Sequence, residues 1–238
     1  RKIWSAAMLF LCRQTATAIF AIYVLSQTFA PSPVVSMPFG QYQTAADIPN
    51  EEFKEHKAIY GRVVKVVDGD TIRVRHYPLY PLTFGKDFTG KLSEHTLSIR
   101  IYAVDTPEVA HFGNPAQPMS KEATDWTRKI VGDKVVRLKL LSKDQYNRAV
   151  AKVTTRGFLP FTKVDLSVGL AENGLATLYT GGGAQYDGKR ELLEQKIAQA
   201  KKRRLGIWKD GSNFETPAEY KKKVKGKQKK GGFAATTY

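Results

Sequence analysis

The segment that decides the fold is Ile-Arg-Ile-Tyr-Ala-Val-Asp-Thr-Pro-Glu, residues 99–108. Apolar and polar residues alternate in its first half, which predicts a β-strand with one face in a core. Pro107 ends the strand because it has no backbone N–H for a β-ladder. Two carboxylates, Asp105 and Glu108, therefore lie near Arg100 at the strand end. Such a set can bind a hard cation, accept a proton and hold a phosphate. A lone Asp-Thr-Pro-Glu is more typical of an exposed turn, so the rest of the chain must decide.

Four more segments around this strand have the β-branched composition and alternation of strands. They cover residues 58–67, 71–75, 134–141 and 148–154, and the central strand covers residues 96–103. Helical periodicity and end signals predict helices over residues 120–131, 163–172 and 189–204. This order predicts an α+β fold, a five-stranded oligonucleotide-binding (OB-fold) β-barrel with about three packed helices.

The charge balance indicates a polyanionic partner. The chain of 238 residues carries a formal net charge of +16, which favours binding to nucleic acid or to an anionic membrane surface. Residues 189–238 hold 15 Lys or Arg against 5 Asp or Glu, so much of the excess lies near the end of the sequence. The single cysteine, Cys12, excludes intrachain disulfides and Cys-based zinc sites.

The first 30 residues are the most apolar part of the chain. Only Arg13 is charged between residues 3 and 30, and about 20 apolar residues suffice to span a bilayer. We therefore expect a single transmembrane helix in residues 1–30. The basic residues precede the span, which places the following domain across the membrane from the cytoplasm or matrix. The absence of acidic residues before Asp47 is typical of organelle targeting. A cleaved signal peptide and a buried core helix remain alternatives.

Composition divides the rest of the chain into three parts. Four prolines and little periodicity predict a linker over residues 31–57. The strands and helices define a folded domain over residues 58–209. Residues 210–238 form a basic C-terminal tail, in which seven of the ten residues from 221 to 230 are lysine. Such a tail is either simply solvated or an arm that attracts phosphates or lipids.

Four motifs in a fixed order carry a family resemblance. They are Asp-Gly-Asp-Thr (68–71), Arg-Ile-Tyr-Ala-Val-Asp-Thr-Pro-Glu (100–108), Asp-Gln-Tyr-Asn-Arg (144–148) and Ala-Gln-Ala-Lys-Lys-Arg-Arg-Leu-Gly-Ile-Trp (198–208). Over residues 58–209 the chain resembles the staphylococcal nuclease (thermonuclease) family. With residues 110–118, the leading apolar segment and Phe-Glu-Thr-Pro (214–217), it is similar to the membrane-anchored mitochondrial endonuclease branch found in fungi.

This resemblance implies an OB-fold nuclease that uses calcium to hydrolyse DNA and RNA. It also implies a metal site, whose residues are Asp70, Asp105, the Thr106 carbonyl and, near the ion, Asp68. It implies catalytic roles for Arg100 and Arg148 on the phosphate and for Glu108 on the attacking water. Aromatic rings that stack over the nucleotide in the family have candidates here in Tyr179 and Tyr186.

Elementary chemistry agrees with these implied roles. Calcium prefers six to eight hard oxygen ligands, and the planar guanidinium of arginine binds phosphate in a bidentate fashion. Glu108 beside a cation stays ionised and can accept a proton, although whether it acts as a base or only orients water stays open. Asn147 stands where the family has glycine, but asparagine tolerates a left-handed backbone. For His111 we favour a role in the loop over a role as metal ligand.

Two other functions compete with the nuclease. One is a catalytically inactive OB-type module that binds nucleic acid at a membrane, and the other is a basic membrane-surface anchor. The chain retains the complete charged set, Asp70, Arg100, Asp105, Glu108 and Arg148, which neither alternative requires. We therefore predict a calcium-dependent endonuclease for DNA and RNA, tethered to a membrane by its N-terminal helix. We expect a single-pass, mitochondrial, monomeric protein, and the sequence indicates no protein partner.

Overall fold

The computed structural model describes residues 40–78, 80, 89–111, 113–157, 162–211 and 214–232. The transmembrane helix predicted in residues 1–30 and the first part of the predicted linker lie outside these residues. Within the described ranges, no helix is both long enough and apolar enough to cross a bilayer.

Eight strands occur in the described residues. They are β1 (Ala58–Val66), β2 (Thr71–His76), β3 (Leu97–Ile101), β4 (Val104–Asp105), β5 (Val135–Lys143), β6 (Ala149–Arg156), β7 (Lys163–Asp165) and β8 (Thr177–Leu178). Six of them form the main sheet in the order β3-β2-β1-β5-β6-β7. Parallel pairing of β3 with β6 closes five of these strands, β1, β2, β3, β5 and β6, into a barrel, and β7 extends the sheet beside β6. The predicted five-stranded barrel is confirmed, with strand ends that differ from the prediction by a few residues.

Strand β3 is paired along both edges, antiparallel to β2 and parallel to β6. Its alternate residues Leu97, Ile99 and Ile101 are fully buried in the core. Burial of three such side chains stabilises the barrel by several kcal/mol, roughly 1.5–3 kcal/mol for each. Thr71 pairs with Arg100, so the start of β2 lies beside Arg100 of β3.

Five α-helices pack around or follow the barrel in the described residues. They are α1 (Asn50–Lys54), α2 (Ser120–Val131), α3 (Leu166–Glu172), α4 (Arg190–Lys202) and α5 (Pro217–Gly232). Helix α2 has the bounds that its periodicity predicts. The helix predicted over 163–172 begins later, because residues 163–165 pair with β6 as strand β7. Asp165 then caps α3 by accepting a hydrogen bond from the Ser167 amide.

Residues 41–57 differ from the predicted extended linker. Tyr42, Ile48 and Phe53 are buried in the same core as the barrel. The Tyr42 ring stacks on His76 with 4.6 Å between ring centroids, and its backbone amide donates to His76 Nδ1. These apolar residues have no periodic spacing, so their burial depends on the barrel surface and is not visible as a local pattern.

The C-terminal segment also differs from the predicted tail, because it contains helix α5. The Thr216 hydroxyl accepts from the Glu219 amide, and the Glu219 carboxylate accepts from the Thr216 amide at 2.8 Å. This reciprocal capping box, followed by Pro217 in the first helical position, is a standard helix start. The sequence Thr-Pro-Ala-Glu therefore contains a signal for this helix that the lysine-rich composition obscures.

Candidate active site

The backbone turns sharply between the central strand and the acidic residues. Ala103, which links β3 to β4, has φ of +62°, an uncommon conformation for a residue with a side chain. Strand β4 then pairs with β8, so that Asp105 lies opposite Thr177. Held on this short strand, the Asp105 carboxylate points into the protein and is almost fully buried.

One arginine joins the two buried aspartates. Arg100 Nη2 lies 2.8 Å from Asp105 Oδ1 and 3.5 Å from Asp70 Oδ2. Burial would lower the pKa of Arg100, but the charges of Asp70 and Asp105 outweigh that effect and raise it. Burial raises the pKa of Asp70, but the charges of Arg100 and Lys221 outweigh it and lower the pKa. Arg100 and Asp70 therefore form a buried pair of opposite charges at one end of the barrel.

Asp70 reaches this position from the tight turn between β1 and β2. Its Oδ2 atom accepts from the Thr106 backbone amide at 3.3 Å, which links the turn to the segment after β4. Gly69 allows this contact, because a Cβ atom there would come within 2.7 Å of the Thr106 side chain. Helix α2 supports the same turn, since Thr127 Oγ1 donates to the Gly69 carbonyl.

Asp68 lies at the start of the same turn and accepts from the Asp70 amide at 3.0 Å. Burial, followed by the negative charge of Asp70, raises the pKa of Asp68 to about 8. Two neighbouring carboxylates that share a site often titrate in this way, one with a raised and one with a lowered pKa. The structure therefore brings Asp68, Asp70, Asp105 and Thr106 to one end of the barrel.

Glu108 is held by its backbone while its side chain remains partly exposed. Its amide donates to Gln117 Oε1 at 2.9 Å, and its carbonyl accepts from the Gln117 amide. The carboxylate contacts a residue from the far C-terminal segment, because Lys221 Nζ lies 2.8 Å from Glu108 Oε1. The same ammonium lies 2.9 Å from Asp105 Oδ1.

The second predicted arginine comes from the turn between β5 and β6. Arg148 Nε donates to Asp144 Oδ2 at 2.7 Å, and Nη1 lies 3.5 Å from Thr71 Oγ1. Asn147 just before it has φ of +58°, so the predicted tolerance of asparagine for the left-handed turn is confirmed. Thr71 pairs with Arg100 across the sheet, so Thr71 neighbours both arginines, Arg100 through strand pairing and Arg148 through its side chain.

The two predicted aromatic residues have different positions. Asp68, Asp70, Asp105 and Glu108 form an acidic cluster at this end of the barrel. The Arg100 guanidinium lies 4.9 Å from the centroid of the Tyr179 ring, so Tyr179 borders the acidic cluster. Tyr186 instead donates its hydroxyl to the Tyr179 carbonyl and packs against Arg190. It supports the backbone of Tyr179 and makes no described contact with the charged cluster.

Comparison with known proteins identifies the family. A family model described as staphylococcal nuclease homologue matches residues 98–210. Endonuclease Htp3 of Saprolegnia parasitica is 43% identical over 189 residues, which are 79% of this chain and 88% of that protein. The chain belongs to the staphylococcal nuclease family. A probable endonuclease LCL3 of Komagataella phaffii is 32% identical over 87% of this chain and 93% of that protein. Another from Verticillium alfalfae is 36% identical over 79% of this chain and 68% of that protein.

His111 lies in a small turn that follows Glu108 in the chain. Its backbone amide donates to the Asn114 carbonyl, and its own carbonyl accepts from Asn114 Nδ2. This arrangement agrees with a role in the loop. Across the described ranges, no group of three or more His, Cys, Asp or Glu side chains is arranged to hold a metal ion.

Two residues that contact the cluster, Gln117 and Lys221, are not among the site residues that the sequence predicts. Gln117 falls in a segment whose sequence predicts only a loop. Its side chain accepts from the Glu108 amide, and its own amide donates to the Glu108 carbonyl. Lys221 is one of seven lysines in a predicted tail, and nothing in a lysine run marks one member as special. Only the helix start at Thr216 predicts an ordered segment at that position.

Proposed function

We propose that this chain is a calcium-dependent endonuclease that hydrolyses phosphodiester bonds in DNA and RNA. The enzyme class, a hydrolase of phosphodiester bonds, agrees with its family and with relatives named endonucleases. The observation that carries the proposal is the position of Arg100 between Asp70 and Asp105, with Glu108 and Arg148 near the same barrel end.

The donor set fits a hard divalent cation. Asp70, Asp105 and the Thr106 carbonyl would hold it, and all three supply oxygen, the ligand type that calcium prefers. The place is attractive to positive charge, since the Lys221 ammonium already contacts Asp105 and Glu108. When bound, the ion supplies positive charge that offsets the negative charge developing on the phosphate oxygens.

The chain's own residues perform the remaining chemistry. Arg100 and Arg148 bind the phosphate and stabilise the charge that develops during scission, which planar guanidinium groups do well. Glu108, with its carboxylate partly exposed, orients the attacking water or accepts its proton. Tyr179 covers Arg100 on one side and offers a ring face to a base or sugar.

The direct test is cleavage of single-stranded DNA, double-stranded DNA and RNA with calcium, with magnesium and with excess chelator. We expect cleavage of all three polymers with calcium and none in chelator. Binding without cleavage under every metal condition would instead indicate a catalytically inactive binding module. Full activity in chelator would contradict the metal requirement.

A second part of the proposal concerns location. We propose that an N-terminal helix in residues 1–30 tethers the protein to a membrane, as a single-pass protein of mitochondria. Support comes from the uncharged run before residue 31 and from the basic residues that precede it. The full chain should resist extraction by alkaline carbonate and fractionate with mitochondria. A fragment from Gly40 onward, which keeps the compact unit 41–238, should be soluble. Complete release of the full chain by carbonate would contradict the tether.

A further inference from the structure

Lys221 occupies the middle of the acidic cluster although it lies far along the sequence. Its Nζ atom is 2.9 Å from Asp105 Oδ1 and 2.8 Å from Glu108 Oε1. Asp105 Oδ1 also accepts from Arg100, so this buried oxygen contacts two cations. The charges of Asp105, Glu108 and Asp70 outweigh burial and raise the pKa of Lys221, so it is an ammonium ion.

Two hydrogen bonds that do not involve Lys221 hold residues 215–220, at the start of helix α5, against the protein. Gln117 Nε2 donates to the Glu215 carbonyl at 3.1 Å, while Gln117 Oε1 binds the Glu108 amide. The Tyr220 hydroxyl donates to the Pro115 carbonyl in the loop that follows Glu108. The start of α5 is therefore docked on the same loop that carries Glu108, and Lys221 lies one residue beyond this contact.

We propose that the Lys221 ammonium, carried by helix α5, closes the active site. The metal ion and Lys221 then compete for the same carboxylates. This inference rests on the proposed metal dependence. A divalent ion at Asp105 would lie a few ångströms from the ammonium, where two positive charges repel each other. Metal binding therefore requires Lys221 to leave, and a docked Lys221 weakens metal binding by the same factor, as thermodynamic linkage requires.

The closed arrangement blocks the site in a second way. While Glu108 Oε1 accepts from the ammonium, its carboxylate is engaged with a cation instead of with the attacking water. Displacement of this one lysine therefore removes one of the two cations on the proposed metal ligand Asp105, which keeps its contact with Arg100, and releases the proposed proton acceptor Glu108. The C-terminal helix is thus an autoinhibitory element, and its docked fraction sets the metal concentration at which the enzyme becomes active.

The size of the effect follows from the strength of the contacts. Hydrogen bonds between charged groups are stronger than those between neutral groups, so the two contacts of Lys221 keep it docked in most molecules. Competition reduces the apparent metal affinity in proportion to the fraction of molecules in which Lys221 has left the cluster. Removal of the Lys221 ammonium should therefore strengthen metal binding about ten- to a hundredfold.

The test compares Lys221→Gln with Lys222→Gln in the full chain. Both changes remove one positive charge, but the Lys222 side chain is exposed and no described contact links it to the cluster. Calcium affinity is measured by calorimetry without substrate. We expect tighter binding in Lys221→Gln and an unchanged constant in Lys222→Gln. Weaker or equal binding in Lys221→Gln would overturn the competition, whereas no binding in any of the three proteins would overturn the proposed metal dependence as well.

Hydrogen exchange and kinetics supply independent readouts. Calcium should speed amide exchange in residues 214–224 of the unmodified chain, because the helix start undocks when Lys221 leaves. At saturating calcium, Lys221→Gln should cleave with an unchanged kcat, and at limiting calcium it should cleave faster than the unmodified chain. Slower exchange with calcium, or a kcat that falls at saturating calcium, would show that Lys221 belongs to the working site and would overturn the proposal.

Discussion

Arg100 Nη2 lies 2.8 Å from Asp105 Oδ1, and both side chains are largely buried. The two residues are on successive strands, β3 and β4, and the left-handed turn at Ala103 between them allows the contact. A buried ion pair contributes little to net stability, because desolvation offsets most of its attraction. The presence of this buried pair is therefore better explained by the chemistry of the site than by the stability of the fold.

The two arginines should respond differently to substitution. Arg148→Lys should lower single-turnover cleavage about 10²- to 10³-fold with little change in nucleic-acid affinity, because an ammonium cannot replace a planar donor pair. Arg100→Gln should in addition lower the free energy of unfolding by about 3 kcal/mol. It leaves the buried Asp70 without its arginine partner and leaves Asp105 with Lys221 as its one remaining described cation. Cleavage kinetics, binding assays and denaturant titration measure the three quantities.

The matched control for these arginines is Arg128→Lys, at a solvent-exposed position of helix α2. It should change neither cleavage nor stability measurably. If Arg148→Lys loses affinity but cleaves normally once saturated, Arg148 is a binding contact and its catalytic role is wrong.

The glycine of the β1–β2 turn should be sensitive to a single methyl group. In Gly69→Ala the new Cβ atom would meet the Thr106 side chain, so the turn or the Thr106 segment must shift. We expect at least about a tenfold loss of cleavage, because small misplacements of catalytic groups are costly. Gly40→Ala is the control, since a Cβ atom at that position would have no neighbour within 4 Å among the described residues. Equal activity of the two variants would contradict the tight packing of Gly69 on Thr106.

His76 should make stability depend on pH. Burial lowers the pKa of His76 to about 4, and its Nδ1 atom accepts from the Tyr42 amide, which protonation would prevent. In the unfolded chain this histidine binds its proton near pH 6.5. The stability that neutral His76 contributes to the folded state is therefore complete above that pH and is lost as the pH falls towards 4. The loss should reach about 3 kcal/mol.

The comparison variant for this titration is His76→Asn, whose Oδ1 atom keeps an acceptor for the Tyr42 amide. Denaturant unfolding at several pH values between about 4 and about 7 should show a flatter dependence in the variant. Parallel curves for the two proteins would mean that His76 does not titrate differently on folding.

Local patterns predicted the barrel because its strands alternate clearly and helix α2 has both a start and a stop signal. The same patterns predicted that Asp70, Asp105 and Arg100 lie close together, since each is on or next to a strand end in one barrel. The functional roles of these residues stay predictions, because position alone does not demonstrate chemistry.

Other features depend on contacts between distant segments. The burial of Tyr42 and Ile48 follows from the surface that the barrel offers them, and residues 163–165 form a strand because they pair with β6. Lys221 is the clearest case, because its contact with Asp105 joins positions 116 residues apart. No pattern within a lysine run distinguishes the one lysine that reaches the site.

Asp105 and Glu108 are proposed to support metal-dependent cleavage of phosphodiester bonds. The most direct measurement is the initial rate of DNA cleavage, with calcium and with excess chelator, for the unmodified chain, Asp105→Asn and Glu108→Gln. Asp125→Asn, an exposed acidic position on helix α2, is the matched control, and circular dichroism confirms folding. We predict cleavage only with calcium in the unmodified chain and the control, and a loss of about 10²-fold or more in the two site variants. Normal cleavage by folded Asp105→Asn, or equal rates with and without chelator, would contradict the account.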